Sequence, residues 1–256
     1  MQLKNIILKK QQNVATISIN HPPVNAWNWA TMQGFEKALD AVENDREVRV
    51  VILTGAGDKC FSAGFDVSDV GNSQKTSPKA RELWRRIDRF PKPVIAAING
   101  YALGGGLELA MCCQFRIMVD APEARVGLTE LNLGIIPGWG GTQRLPLLVG
   151  KAKALDMILF SKKIGATEAR EAGLINQVSA PGHLSADAMA LAEKLAKRPP
   201  LAVSAVLRSI AAGAYEGLDA GLKVEEEGSK MVGQSEDCKE GFSAFLEKRE
   251  PVFKGK

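Results

Sequence analysis

The chain is 256 residues long, 45% hydrophobic and 24% charged, with 33 basic and 29 acidic residues and a net charge of +4. This composition supplies ample core material and excludes a disordered chain, while the mild, scattered positive charge argues against a nucleic-acid surface. Four cysteines without C-x-x-C spacing and only two histidines, His21 and His183, argue against a disulfide framework and a multi-histidine metal site.

Met1 to Lys10 reads as a short alternating strand with lysines and no apolar core of signal-peptide type. No run of about 18 apolar residues occurs, so a cytoplasmic protein without a membrane span is expected. Val14 to Ile19 alternates and is β-branched, which predicts a strand ended by His21-Pro22-Pro23. Trp29, Met32, Phe35, Leu39 and Val42 recur at helical spacing, so the pattern predicts an amphipathic helix over Asn28 to Val42. Val48 to Leu53 is an apolar strand stopped by Gly55-Ala56-Gly57, Pro78 to Phe90 is helical, and Pro93 to Ile98 is the next buried strand. Strands alternating with helices imply an α/β core with largely parallel, buried sheets. From about residue 150 the patterns turn helical: Ala152 to Phe160, Ser185 to Ala196, Ala202 to Ala214, Leu218 to Val232 and Glu236 to Lys248. We expect a core over residues 1–195 and a helical region over 196–256 that serves oligomer contacts.

Phosphate-binding motifs are missing: there is no G-x-G-x-x-G after a strand, no G-x-x-x-x-G-K-[ST] and no G-x-S-x-G. Three other segments carry chemistry. The first is Asn99 to Ala110, where a strand runs into Gly104-Gly105-Gly106 and then an apolar helix, Leu107 to Cys112. Glycines allow close approach of a ligand, and a helix start leaves N–H groups free to meet developing negative charge. Glu108 lies roughly 4.5 Å along the axis from Gly105, so an oxyanion donor and a carboxylate share one rigid element. The second is Phe61 to Val67, either a tight turn or a source of a second N–H donor, at Phe65, that would complete an oxyanion hole with Gly105. The third is Gly127 to Thr142, where Glu130 lies among apolar and small residues. It is either a surface carboxylate or a general acid with a raised pKa.

Together these segments resemble the crotonase, or enoyl-CoA hydratase/isomerase, family. The resemblance spans the chain: Asn25-Ala26, Ala63-Gly64-Phe65-Asp66, Pro91-Lys92-Pro93 with Asn99-Gly100, Gly104-Gly105-Gly106 with Glu108, and Glu130 with Leu133-Gly134 and Pro137-Gly138. It continues through Gly140 to Leu145, Ala172-Gly173-Leu174 and Phe245 to Arg249. It implies a spiral of ββα units, an acyl-CoA thioester substrate, and trimers that often pair into hexamers. It places the thioester oxygen between the N–H groups of Phe65 and Gly105, and maps both hydratase glutamates, onto Glu108 and Glu130. Their joint presence points to hydration, with Glu108 helping to activate water and Glu130 handling the proton at the α-carbon. It sets adenine and pantetheine along Ala63, Gly64, Phe65, Asp66, Val67 and Ser68, largely through backbone, and counts Gly105 and Gly106 among the substrate-binding residues. It also brings Lys248, with Phe245, to the nucleotide end from a neighbouring subunit. No metal or redox cofactor is implied, because CoA arrives as part of the substrate.

The departures concern specificity. Phe65 stands where hydratases often have alanine, Ser68 where many have lysine, and His21 where arginine is frequent. Trp139 is either a wall of the acyl pocket or a packing residue. The reading is a short-chain enoyl-CoA hydratase. The alternatives are an enoyl-CoA isomerase, a specialised acyl-CoA dehydratase, or a non-catalytic RNA-binding member, the last of which calls for a Lys/Arg stripe.

Overall fold

The computed structural model describes residues 1–256. Strands β1 (Gln2–Leu3), β2 (Ile6–Gln11) and β3 (Val14–Ile19) pair antiparallel at one edge of a seven-stranded sheet. The sheet continues in parallel through β4 (Val50–Gly55), β6 (Val94–Ile98), β8 (Phe115–Val119) and β10 (Gln177–Ser179). Between them the chain visits a second, three-stranded parallel sheet: β5 (Cys60–Ser62), β7 (Tyr101–Leu103) and β9 (Val126–Gly127). Each turn of chain lays one strand in the large sheet and the next in the small one, so successive turns stack into a spiral.

The apolar runs that predict strands have a common cause, burial on both faces of the large sheet. Val51 and Leu53 of β4, with Val94, Ala96 and Ile98 of β6, face a core shared with the fully buried Trp27, Phe35, Phe61, Trp84 and Phe90. Val50, Ile52, Ile95 and Ala97 face the other way, onto α7 (Leu184–Ala196), which offers Ala188, Ala192 and Ala196 at intervals of one turn. Alternation along an extended chain sends neighbouring residues to opposite cores.

Helix α1 (Trp29–Glu43) starts where its pattern predicts, with the Asn28 side chain accepting the Thr31 N–H at 2.9 Å. Helix α2 (Ser73–Asp88) begins earlier than the predicted Pro78. A 3-10 turn over Val67–Asn72 leads directly into it, and Thr76 and Ala80 are buried. Packing therefore sustains the turn that Pro78 fails to bond. Helix α3 (Gly105–Cys112) starts at the middle glycine of the triplet. Strands β8 and β10 and helices α4 (Gly141–Val149) and α6 (Ala166–Glu171) are additions to the predicted elements. In α4 the flanking glycines and internal Pro146 mask the helical pattern.

Helix α5 (Lys151–Leu159) follows α4, and the chain ends in α8 (Pro200–Glu216), α9 (Leu218–Gly233) and α10 (Glu236–Glu247). Helices α8 and α9 form a tight antiparallel hairpin. A Cβ on Gly221 would stand 2.8 Å from the Gly213 Cα, and one on Gly228 3.0 Å from the Ala205 Cβ. No helix is long and apolar enough to cross a membrane.

Candidate active site

The triple glycine is where three remote segments converge. β7 ends at Leu103, and Gly104 turns the chain into α3 with φ of +51°. A Cβ on Gly104 would stand 3.0 Å from Oε1 of Glu130, one on Gly105 2.3 Å from the Trp139 ring, and one on Gly106 2.2 Å from the Ser62 carbonyl oxygen. Gly64, with φ of +88°, abuts the same turn, since its Cβ would lie 2.9 Å from the Gly105 nitrogen. Gly105 opens α3, so its N–H has no carbonyl partner one turn back. Phe65 bridges to Trp27 in parallel, through the Trp27 N–H to the Gly64 carbonyl (2.8 Å) and the Asp66 N–H to the Trp27 carbonyl (3.0 Å). That pattern turns the N–H of Phe65 itself away from Trp27.

The two glutamates occupy opposite environments. Glu108 is buried, and its Oε1 accepts the N–H groups of Trp139 at 2.8 Å and Gly141 at 2.7 Å. Burial raises its pKa, and those two N–H bonds, with the nearby Arg144 charge, oppose the rise. Gly141 opens α4, so the carboxylate also meets a helix N-terminus, which favours its ionised form. Glu130 opens a 3-10 turn over Glu130–Leu133. Its Oε2 is buried without a partner, and burial together with the Glu108 charge pushes its pKa up to about 7. Burial raises both carboxyl groups, but Glu108 Oε1 is held by two N–H donors whereas Glu130 Oε2 has none, an asymmetry of the kind that lets two carboxyls take different acid–base roles.

An aromatic column backs the turn. Phe65 meets Trp139 edge-on at 6.2 Å, Trp139 meets Trp84 at 5.4 Å, and Trp84 meets Trp27 at 5.0 Å. Trp84 Nε1 donates to the Gly105 carbonyl at 3.2 Å, which fixes the Gly105–Gly106 peptide of α3 from behind.

The family model described as enoyl-CoA hydratase/isomerase matches residues 9–256. This chain belongs to that family. A short-chain-enoyl-CoA hydratase of Clostridium acetobutylicum is 41% identical over 97% of both chains. A probable enoyl-CoA hydratase of Bacillus subtilis is 42% identical over 98% of each. The crystal structure of an enoyl-CoA hydratase from Bacillus anthracis superposes with a TM-score of 0.93 at 39% identity, covering 98% of this chain and all of that one.

In this family member, the sequence-predicted residues divide into three groups. Gly64, Phe65, Gly105, Gly106, Glu108, Glu130 and Trp139 come together around the glycine turn. Ala63, Asp66, Val67 and Ser68 continue along the loop from Phe65. The Asp66 carboxylate caps the following 3-10 turn by accepting the Ser68 N–H (3.0 Å) and hydroxyl (2.6 Å), so both side chains shape the loop. Phe245 and Lys248 stand elsewhere. Phe245 is exposed and lines an apolar cleft with Phe242 and Phe253, and Lys248 caps α10 in the left-handed region.

Several residues that support the site escaped functional notice in the sequence. Asn25 donates to the carbonyls of Cys60 (2.7 Å) and Ala56 (3.1 Å). Asn99 donates to the Gly55 and Gly57 carbonyls and accepts the Gly55 N–H. The two amides tie down the 55–60 connection that delivers the second loop. Both residues belong to the family resemblance, so the signal was present, but a sequence does not say which carbonyls an asparagine reaches.

Proposed function

We propose that this protein adds water across the 2,3 double bond of short-chain enoyl-CoA thioesters to give 3-hydroxyacyl-CoA. The observation that carries the reading is the pair of unlike carboxylates: Glu108, in the first turn of the helix that Gly105 opens, held by two N–H donors, and Glu130, against Gly104, with Oε2 unpartnered and a pKa pushed up to about 7. Similarity to proteins named as enoyl-CoA hydratases supports it.

In this mechanism the N–H groups of Phe65 and Gly105 polarise the thioester carbonyl and make the β-carbon electrophilic. Ionised Glu108 takes a proton from water as its oxygen bonds to the β-carbon. Electrons of the double bond move toward the thioester, and protonated Glu130 delivers a proton to the α-carbon. Glu108 ends protonated and Glu130 ionised, and passing one proton between them through solvent restores the start. The reaction is redox-neutral, so it calls for no redox cofactor, and CoA is carried in by the substrate along the backbone of residues 63–68. Crotonyl-CoA supplied to the purified protein is expected to lose its enoyl-thioester absorbance and yield 3-hydroxybutyryl-CoA. Conversion of a 3-enoyl-CoA to its 2-enoyl isomer without hydration would overturn the reading in favour of an isomerase.

The Phe65 ring bears on chain length and not on the chemistry, because its donor is backbone. Phe65→Ala is expected to retain hydration of crotonyl-CoA within about tenfold, or roughly 1.4 kcal/mol, while shifting preference toward longer acyl chains. A turnover panel from short to long enoyl-CoAs checks this. A loss of about 10²–10³ in kcat with unchanged preference would contradict it.

The same reading includes assembly as a trimer or a pair of trimers. Val206 and Ile210 of α8, Leu218 and Leu222 of α9 and Phe160 after α5 are large apolar side chains left exposed on the isolated chain. Lys248 is then placed to serve a neighbour's CoA. Light scattering is expected to return a trimer or hexamer, and a stable, active monomer would refute the assembly.

A further inference from the structure

Glu108 is held by a turn that is itself held by a buried ion pair. Asp88 closes α2 and Arg144 lies in the first turns of α4, with side chains only 5% and 12% exposed. Arg144 forks onto Asp88: Nε lies 3.1 and 3.2 Å from the two carboxylate oxygens, and Nη2 pairs with Oδ2. The remaining nitrogen, Nη1, donates to the Trp139 carbonyl at 2.9 Å. From that residue the chain turns back toward Glu108, whose Oε1 takes the Trp139 and Gly141 N–H groups. Gly140 between them has φ of +111°, and a Cβ there would lie 1.9 Å from Nη1, so the guanidinium occupies the inside of the turn. The turn is thus clamped between a guanidinium on one side and the Glu108 carboxylate on the other. A bare structural ion pair needs no third contact. Here the third contact falls on the peptide that lies between the two whose N–H groups bind the carboxylate.

We propose that Asp88 and Arg144 are positioning residues for Glu108: the forked pair fixes the Trp139–Gly141 turn so that its N–H groups hold Oε1 and leave Oε2 to take the proton from water. The proposal rests on the hydratase reading, which crotonyl-CoA turnover by the unaltered protein tests separately. A guanidinium can fork onto a carboxylate and reach a carbonyl at once, whereas a lysine ammonium keeps the charge without the fork.

Arg144→Lys is therefore the informative variant. With the turn loosened, the general base is misplaced, and kcat is expected to fall about 10- to 100-fold with KM within about threefold. The two N–H bonds favour ionised Glu108, so weakening them also moves the acid limb of the kcat/KM profile to higher pH. The other titratable groups facing Glu108 are Glu130 across the site, Arg144 from α4 and Cys112 one turn further along α3. Arg144→Lys preserves the positive charge and leaves the other two unchanged, so a shifted limb reports the hydrogen bonds. A folded variant with unaltered kcat and acid limb overturns the inference, as does one in which only KM rises. If Arg144→Lys does not fold, Asp88→Asn tests the fork through kcat alone, because it keeps the side-chain shape and the guanidinium but removes a negative charge that itself acts on the acid limb. The expected result is again a lower kcat with KM within about threefold, and an unaltered kcat overturns the inference. Failure of the unaltered protein to hydrate crotonyl-CoA would instead remove the hydratase reading itself.

Discussion

Glu130→Gln is expected to lower kcat for crotonyl-CoA hydration by about 10²–10⁴-fold, the usual contribution of a positioned acid or base, while the fold persists. In the proposed mechanism Glu130 is the group that donates a proton, and its buried, unpartnered Oε2 and a pKa pushed up to about 7 support that role. As pH rises through about 7 it loses that proton, so the unaltered enzyme should show an alkaline limb in kcat/KM there. As pH falls, Glu108 takes up a proton and ceases to be a base, giving the acid limb. The two carboxylates interact, so the limbs belong to the pair. Removing Glu130 should remove the alkaline limb along with the rate, and Glu108→Gln should cost a similar factor and remove the acid limb. Measured kcat and pH profiles of both folded variants check this. Near-unaltered turnover by either one would exclude that residue from the mechanism.

Gly105→Ala is expected to reduce kcat by about 10²–10³-fold, the scale of a lost oxyanion donor. The added methyl would stand 2.3 Å from the Trp139 ring, far inside van der Waals contact. Trp139 has no easy retreat. Its N–H is bonded to Glu108, its carbonyl to Arg144, and its ring packs edge-on against Phe65 and Trp84. The strain therefore falls on the Gly104–Gly105 peptide, whose N–H is the proposed donor, and on the turn that holds Glu108. The cause is a single contact, so it can be isolated by a double-mutant cycle. Trp139→Ala removes the ring, and Gly105→Ala made in that background is expected to cost less than about tenfold further. A double variant as impaired as the multiplied singles would show that Gly105 is required for some reason other than the approach of Trp139.

Much of this protein is legible in the order of its residues. Burial of the large sheet on both faces leaves near-continuous apolar runs, so Val48 to Leu53 and Pro93 to Ile98 read as strands without any coordinates, although β4 itself starts after Arg49, at Val50. Helices with one apolar stripe, such as α1 with its Asn28 cap, are equally plain. The three loops, the glycine triplet and both glutamates stand out because close approach and charge each need particular residue types. Local pattern fails where packing overrides it. Strand β8 carries Arg116, which is buried only because its guanidinium finds the Leu174 and Cys113 carbonyls, and α4 hides behind glycines and Pro146. The start of α2 is likewise decided by burial of Thr76 and Ala80 and not by Pro78.

The sequence by itself determined the α/β plan, through short-range periodicity, and the family, through ordered motifs whose resemblance implied the spiral and the residues expected to meet a thioester and a water. Only the tertiary structure decided which carboxylate is held and which is orphaned. Glu108 takes its donors from Trp139 and Gly141, and Glu130 takes its raised pKa from burial and from Glu108, all remote along the chain. The same holds for Trp139, which the sequence left between packing and pocket wall and which the structure seats on Gly105, and for the Asp88–Arg144 pair behind it. A protonation state is set by the sum of desolvation, nearby charge and hydrogen bonds at one point in space. No stretch of neighbouring residues contains that sum until the spiral has closed.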